Sequence, residues 1–160
     1  MSSTSNKVQQ LQKFIIKKNI TCYDYTRFRI IELIKSEKFT RLYRAVFKNK
    51  ITVILKSFEN NELTINEVIN ELKLYHGVDI HPNIIRFNGV TRKEGDSSIL
   101  PYMLIFEDVN CGTLRSYLQH LSWDNMIKFS LQIANAVRYL HAKGMINLVL
   151  YWHPYERNVQ

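Results

Sequence analysis

Lys56 and two glutamates further along the chain, Glu67 and Glu71, are the side chains of this sequence best placed to do chemistry together. Lys56 closes the run ITVILK, where alternation puts it on one strand face with Thr52 and Ile54. An ammonium drawn onto an apolar face must find an anion or shift its pKa, so the position asks for a carboxylate or a phosphate. Glu67 and Glu71 fall in LTINEVINELKLY, whose Ile65, Val68, Leu72 and Tyr75 form one helical stripe. At ~100° per residue, Glu71 lies about 60° from Val68, at the border of the stripe, and Glu67 about 100° away, toward solvent. Glu71 is therefore the candidate partner of Lys56. Spacing alone is equally compatible with an exposed carboxylate on an amphipathic helix.

Bringing these two groups together takes a sheet and a helix. Leu42, Arg44 and Val46 alternate with Tyr43, Ala45 and Phe47, Lys48-Asn49-Lys50 supplies a turn, and Ile51 to Lys56 alternates back, which predicts a β-hairpin. Phe28 to Ile34, apolar and rich in β-branched residues, predicts a strand before it. Val8 to Lys18 has the spacing of a short N-terminal helix, and Tyr23 to Thr26 leads from it into the first strand. After the turn at Asn60-Asn61, Thr64 followed by Glu67 fits a capping box at the start of the glutamate-bearing helix. His81-Pro82-Asn83 breaks the chain before a strand over IIRFNGV, Arg92 to Ser98 is a polar loop, and Tyr102 to Glu107 predicts a fifth strand. Cys111-Gly112-Thr113 opens a short helix over LRSYLQHL, and Asp124 to Lys143 predicts a longer one with an apolar arc of Phe129, Ile133, Val137 and Leu140.

The bulk properties bound the class. With 160 residues, 46% of them hydrophobic and 12% aromatic, the chain can build its own core. No stretch approaches the ~18 apolar residues of a membrane span, and the opening MSSTSNK lacks an apolar signal core, so a soluble protein of the cytoplasm or nucleus is expected, the cytoplasmic assignment first. Cys22 and Cys111 are far apart and lack metal-ligand spacing, which predicts reduced thiols and neither a disulfide framework nor zinc. Of the 22 Lys and Arg residues, 13 lie within residues 1–56 beside only Asp24, Glu32 and Glu37, so that segment carries +10 of the net +8 and the rest −2. A solvated basic surface is the expected reading of that excess, ahead of a nucleic-acid contact.

In order and spacing these residues resemble the N-terminal lobe and first C-lobe helices of the eukaryotic protein kinases, leaning in GTLRSYL toward the tyrosine-kinase-like branch. The likeness runs from about Phe28 to about Ile146. VILK ending at Lys56 resembles the family's lysine strand, Glu71 its helix carboxylate, HPNIIRFNG the link to the fourth strand, and LIFEDVNCGTLRSYL the fifth strand, hinge and following helix. The resemblance implies an α+β fold: a five-stranded antiparallel sheet with one packed helix, then the first helices of an incomplete helical C-lobe. It implies an N-terminal helix and lead-in over 1–27, a kinase-like lobe and hinge over 28–109, partial C-lobe helices over 110–146 and a divergent tail over 147–160. It further implies an ATP site of Lys56, Glu71, Ile34, Leu42, Glu107 and Val109, with Phe106 as gatekeeper.

Two departures qualify the implied activity. The three phosphate-cradling glycines of the family's loop are Lys35, Glu37 and Thr40 here, so side chains stand where backbone N–H groups should close over phosphates, and weakened ATP binding is expected. After Asp124 the only carboxylate side chain is Glu156, so the family's catalytic and metal-holding aspartates have no counterpart, and neither a metal site nor phosphoryl transfer is expected of this chain alone. Three readings stand side by side: a truncated kinase-like domain with a residual ATP site, a fragment of a longer active kinase, and a nucleotide-independent interaction module. The incompletely covered arc of the long helix adds the expectation of a protein partner, either another kinase or an equivalent of the missing C-lobe.

Overall fold

The computed structural model describes residues 3–78, 81–93, 95, 100–108 and 122–144. Val109, Cys111, the expected short helix over LRSYLQHL, most of the polar loop after Arg92, and the tail beyond residue 146 lie outside the described residues. In chain order the elements are α1 (Ser3–Lys17), β1 (Cys22–Asp24), a 3₁₀ turn (Tyr25–Arg27), β2 (Phe28–Ser36), β3 (Thr40–Phe47), β4 (Ile51–Phe58), α2 (Glu62–Gly77), β5 (Phe87–Arg92), β6 (Tyr102–Glu107) and α3 (Trp123–Ala142). The chain divides into two compact units, Met1–His76 with Phe87–Asp108, and Gly77–Arg86 with Val109–Gln160.

The first unit is an α+β layer built on a six-stranded sheet of order β1-β5-β6-β4-β3-β2. Five strands pair antiparallel, as the patterning predicts. The sixth, β1, is an addition: the lead-in around Tyr23 pairs in parallel with β5, Cys22 opposite Val90 and Asp24 opposite Arg92. Three residues carry too little periodicity to announce a strand, and a parallel partner far along the chain leaves no hairpin signal.

Lys48 and Asn49 take positive φ of 50° and 56°, and the Lys50 N–H donates to the Phe47 carbonyl at 3.1 Å, which closes the β3–β4 hairpin at the expected turn. One face of the sheet buries Phe28, Ala45, Val53, Leu55, Met103 and Ile105, with Tyr23, Tyr25, Tyr43 and Phe47 packed against them. α2 buries Ile65, Val68 and Leu72, the predicted stripe.

The start of α2 corrects one expectation. The helix begins at Glu62 rather than at Thr64, and Asn61 caps it: its Oδ1 accepts from the Thr64 N–H at 2.9 Å and from Thr64 Oγ1 at 2.7 Å. Thr64 is thus a buried helical residue that donates to the cap, and no Thr64–Glu67 capping box forms. In the second unit, Ser122 caps α3 by accepting from the Asn125 N–H, and Ala136 and Leu140 are buried while Phe129, Ile133 and Val137 are half-buried. No helix among the described residues is long and apolar enough to cross a membrane.

Candidate nucleotide site

β4 and α2 deliver the two charges foreseen from the sequence. Lys56 Nζ donates to Glu71 Oε1 at 2.7 Å, with the lysine side chain 9% exposed and the glutamate 28%. The ammonium also sits 5.1 Å from the centre of the Phe58 ring, two residues along the same strand face. Glu67 is exposed, in keeping with its place on the helix. The second carboxylate oxygen of Glu71, Oε2, is buried without a hydrogen-bond partner among the described residues. A carboxylate with one oxygen on a lysine and the other unspent retains a capacity to accept a donor.

Residues paired directly across an antiparallel ladder share a face, so Leu42, Lys56 and Leu104 form one row, and Arg44, Ile54 and Phe106 the next. Leu42 and Ile54 are half-buried, and Ile34, exposed, lies in the β2 irregularity between Leu33 and Lys35. The structure thus brings Lys56, Glu71 and Leu42 together, with an apolar shelf beside the cation. Glu107 pairs with Val53, which puts its side chain on the other face, so only its backbone could serve a ligand on the lysine side.

α2 is held by rings as well as by the ion pair. Tyr75, one turn beyond Glu71, meets Phe106 edge-on at 5.0 Å and stacks on Phe87 at 5.5 Å; Phe87 and Phe106 are 5.7 Å apart. Phe106 therefore packs against the helix that carries the carboxylate.

The β2–β3 turn is closed on itself. The Glu37 N–H donates to the Thr40 carbonyl at 2.8 Å, and the Glu59 N–H donates to the Phe39 carbonyl at 3.0 Å, tying the turn to the end of β4. Glu37 pairs with Lys35 and accepts from Thr40 Oγ1, and the Lys35 hydrogen bond, then its charge, hold the Glu37 carboxyl below the usual range. At Glu37 both the backbone donor and the side chain are thus engaged within the turn. Sequence reading did not single out Arg44 and Asp108: Arg44 Nε donates to Asp108 Oδ2 at 2.9 Å, its Nη1 pairs with Glu32, and the Asp108 side chain is only 4% exposed. No local signal marks a pair that bridges β3 to the residue after β6.

The sequence that builds this lysine strand and carboxylate helix is similar to those of known proteins. The sequence model of the protein tyrosine and serine/threonine kinases aligns with residues 28–149. The chain belongs to that family. It is 34% identical over 108 residues, 63% of its length, to the wall-associated receptor kinase-like 21 of Arabidopsis thaliana, and 30% identical over 123 residues, 75% of its length, to the dual specificity testis-specific protein kinase 1 of Mus musculus. It spans 16% and 19% of those two relatives. Residues 1–27 fall outside the family match.

Proposed function

We propose that this kinase-family chain carries the nucleotide-holding half of a kinase site and does not transfer phosphate by itself. The observation that supports it is the 2.7 Å pair between a nearly buried Lys56 and Glu71, beside the Leu42 and Ile54 shelf. A lysine oriented by a carboxylate is preset to meet phosphate oxygens, and the shelf suits a purine ring. Ile34, Leu42 and the backbone at Glu107 and Val109 are the proposed adenine contacts, and Lys56 is the phosphate contact. The closed turn at Glu37 lowers affinity, because its backbone donor is already satisfied. In this sequence no aspartate follows Asp124, so the carboxylates that would position a hydroxyl and hold Mg²⁺ are not supplied by these residues.

Thermal shift and calorimetric titration with ATP, with Mg²⁺ and with EDTA, test the reading. Wild type is expected to be stabilised by ATP about equally with and without the metal, Lys56→Met to lose the stabilisation, and neither to incorporate phosphate into itself or a generic substrate. Absence of any ATP effect on wild type would remove the nucleotide role. Turnover that Lys56→Met abolishes would remove the claim of no transfer.

A further inference from the structure

We propose that residues 3–24, which lie outside the family match, are a built-in clip on the kinase lobe that positions α2 and so the Lys56–Glu71 pair. The clip is anchored by backbone. Val90 N–H donates to the Thr21 carbonyl at 2.9 Å, β1 runs parallel along β5, and the fully buried Thr91 Oγ1 donates to the Tyr23 carbonyl at 2.9 Å. Behind it, Tyr23 meets Phe47 edge-on at 5.4 Å and Phe28 at 6.4 Å, Lys93 Nζ lies 5.3 Å over the Tyr25 ring, and Leu11 and Ile15 of α1 are buried. Such a segment is part of the core and not a tether.

Gly89 is the residue that admits it. Its φ is +136°, and a Cβ there would collide with the Thr21 carbonyl oxygen and come within 3.2 Å of the Tyr23 ring. Only a glycine lets β5 approach the N-terminal segment this closely. The same short stretch of β5 faces the helix: the pairing with β6 shifts register between Phe87 and Gly89, and Phe87 stacks on Tyr75, one turn from Glu71. Thr21 and Tyr75 therefore both bear on Phe87–Gly89. Displacing the clip frees the irregular step of β5 and with it the ring that seats α2.

The test uses the full chain and two readouts, of which only the second rests on the nucleotide reading. Hydrogen exchange is followed over β1 and α2, and ATP affinity is titrated. Gly89→Ala is compared with Gly95→Ala, whose φ of +124° is also positive but whose Cβ would meet nothing within 4 Å, so that the control carries a positive φ without the collision. Gly89→Ala is expected to speed exchange in both β1 and α2 by about tenfold or more and to weaken ATP correspondingly, while Gly95→Ala does neither. If Gly89→Ala does not accumulate as folded protein, Thr91→Val, which removes one clip hydrogen bond, is expected to move both segments in the same direction by about two- to fivefold. Faster exchange in β1 with α2 unchanged would overturn the proposal. If wild type fails to bind ATP, the nucleotide reading falls, and the exchange of α2 still decides the clip.

Discussion

Lys56 and Glu71 answer each other's requirement. A side chain only 9% exposed would pay heavily for an unpaired charge, and the carboxylate at 2.7 Å removes that penalty. Removing one member of a fully buried pair costs about 3–5 kcal/mol; with Glu71 28% exposed, Lys56→Met falls at or below the lower end of that range. Arg44 does comparable work for Asp108, whose carboxylate is nearly buried. His81 titrates in the second unit. Burial holds its imidazole below the ordinary value, its Nδ1 accepts from the Asn83 N–H at 3.2 Å, and its ring lies 4.8 Å from that of Tyr139. A histidine with a depressed folded pKa binds fewer protons folded than unfolded, so its contribution is fully present above the unfolded value of about 6.5 and is lost as pH falls through that value toward the folded one. Urea unfolding of the second unit, monitored by Tyr139 or Trp123 signals, is expected to show a midpoint that drops below that pH, and His81→Asn to flatten the drop.

Among the elements, α2 depends most on how it begins. The Asn61 side chain caps the helix by accepting the Thr64 N–H, so Asn61→Ala is expected to cost about 1 kcal/mol in denaturant unfolding while Glu67→Ala stays near zero. The reverse ranking would restore the capping box read from the sequence. The capping-box pattern failed because Asn, Thr and Glu within a few residues offer more than one cap, and only the entry path from β4 selects among them. β2 shows a different limit of local reading. Its residues are apolar enough for a strand, yet as the edge of the sheet it leaves Ile31, Leu33 and Ile34 exposed, and two irregular steps interrupt its pairing with β3. Such irregularities and the flanking Arg29 and Lys35 blunt an edge that could otherwise pair with another chain.

For the molecule as a whole, the apolar surface of α3 bears on behaviour in solution. Trp123, Ile127 and Leu131 recur at helical spacing and are 74%, 47% and 60% exposed. A stripe of that kind favours association. The double variant Ile127→Gln, Leu131→Gln is expected to lower concentration-dependent light scattering, with the thermal midpoint kept within about 2 °C because exposed positions contribute little to the folded state. A midpoint falling well beyond that would mean the two side chains are covered in solution. Net charge offers a counterweight, since the +10 of residues 1–56 repels like surfaces and weakens with salt.

The sequence alone determined the strands between Phe28 and Lys56, the stripe of α2, the choice of Glu71 over Glu67 and the kinase resemblance, because each is written in a period of two or 3.6 residues or in a short motif. The folded chain set the contacts made across long sequence separations without periodicity: β1 against β5, Thr21 against Gly89, Arg44 to Asp108, and Tyr75 against Phe87 and Phe106. Local propensity acts over a few residues, whereas these contacts exist because the sheet has already assembled and left one edge, one glycine or one buried charge in need of a partner.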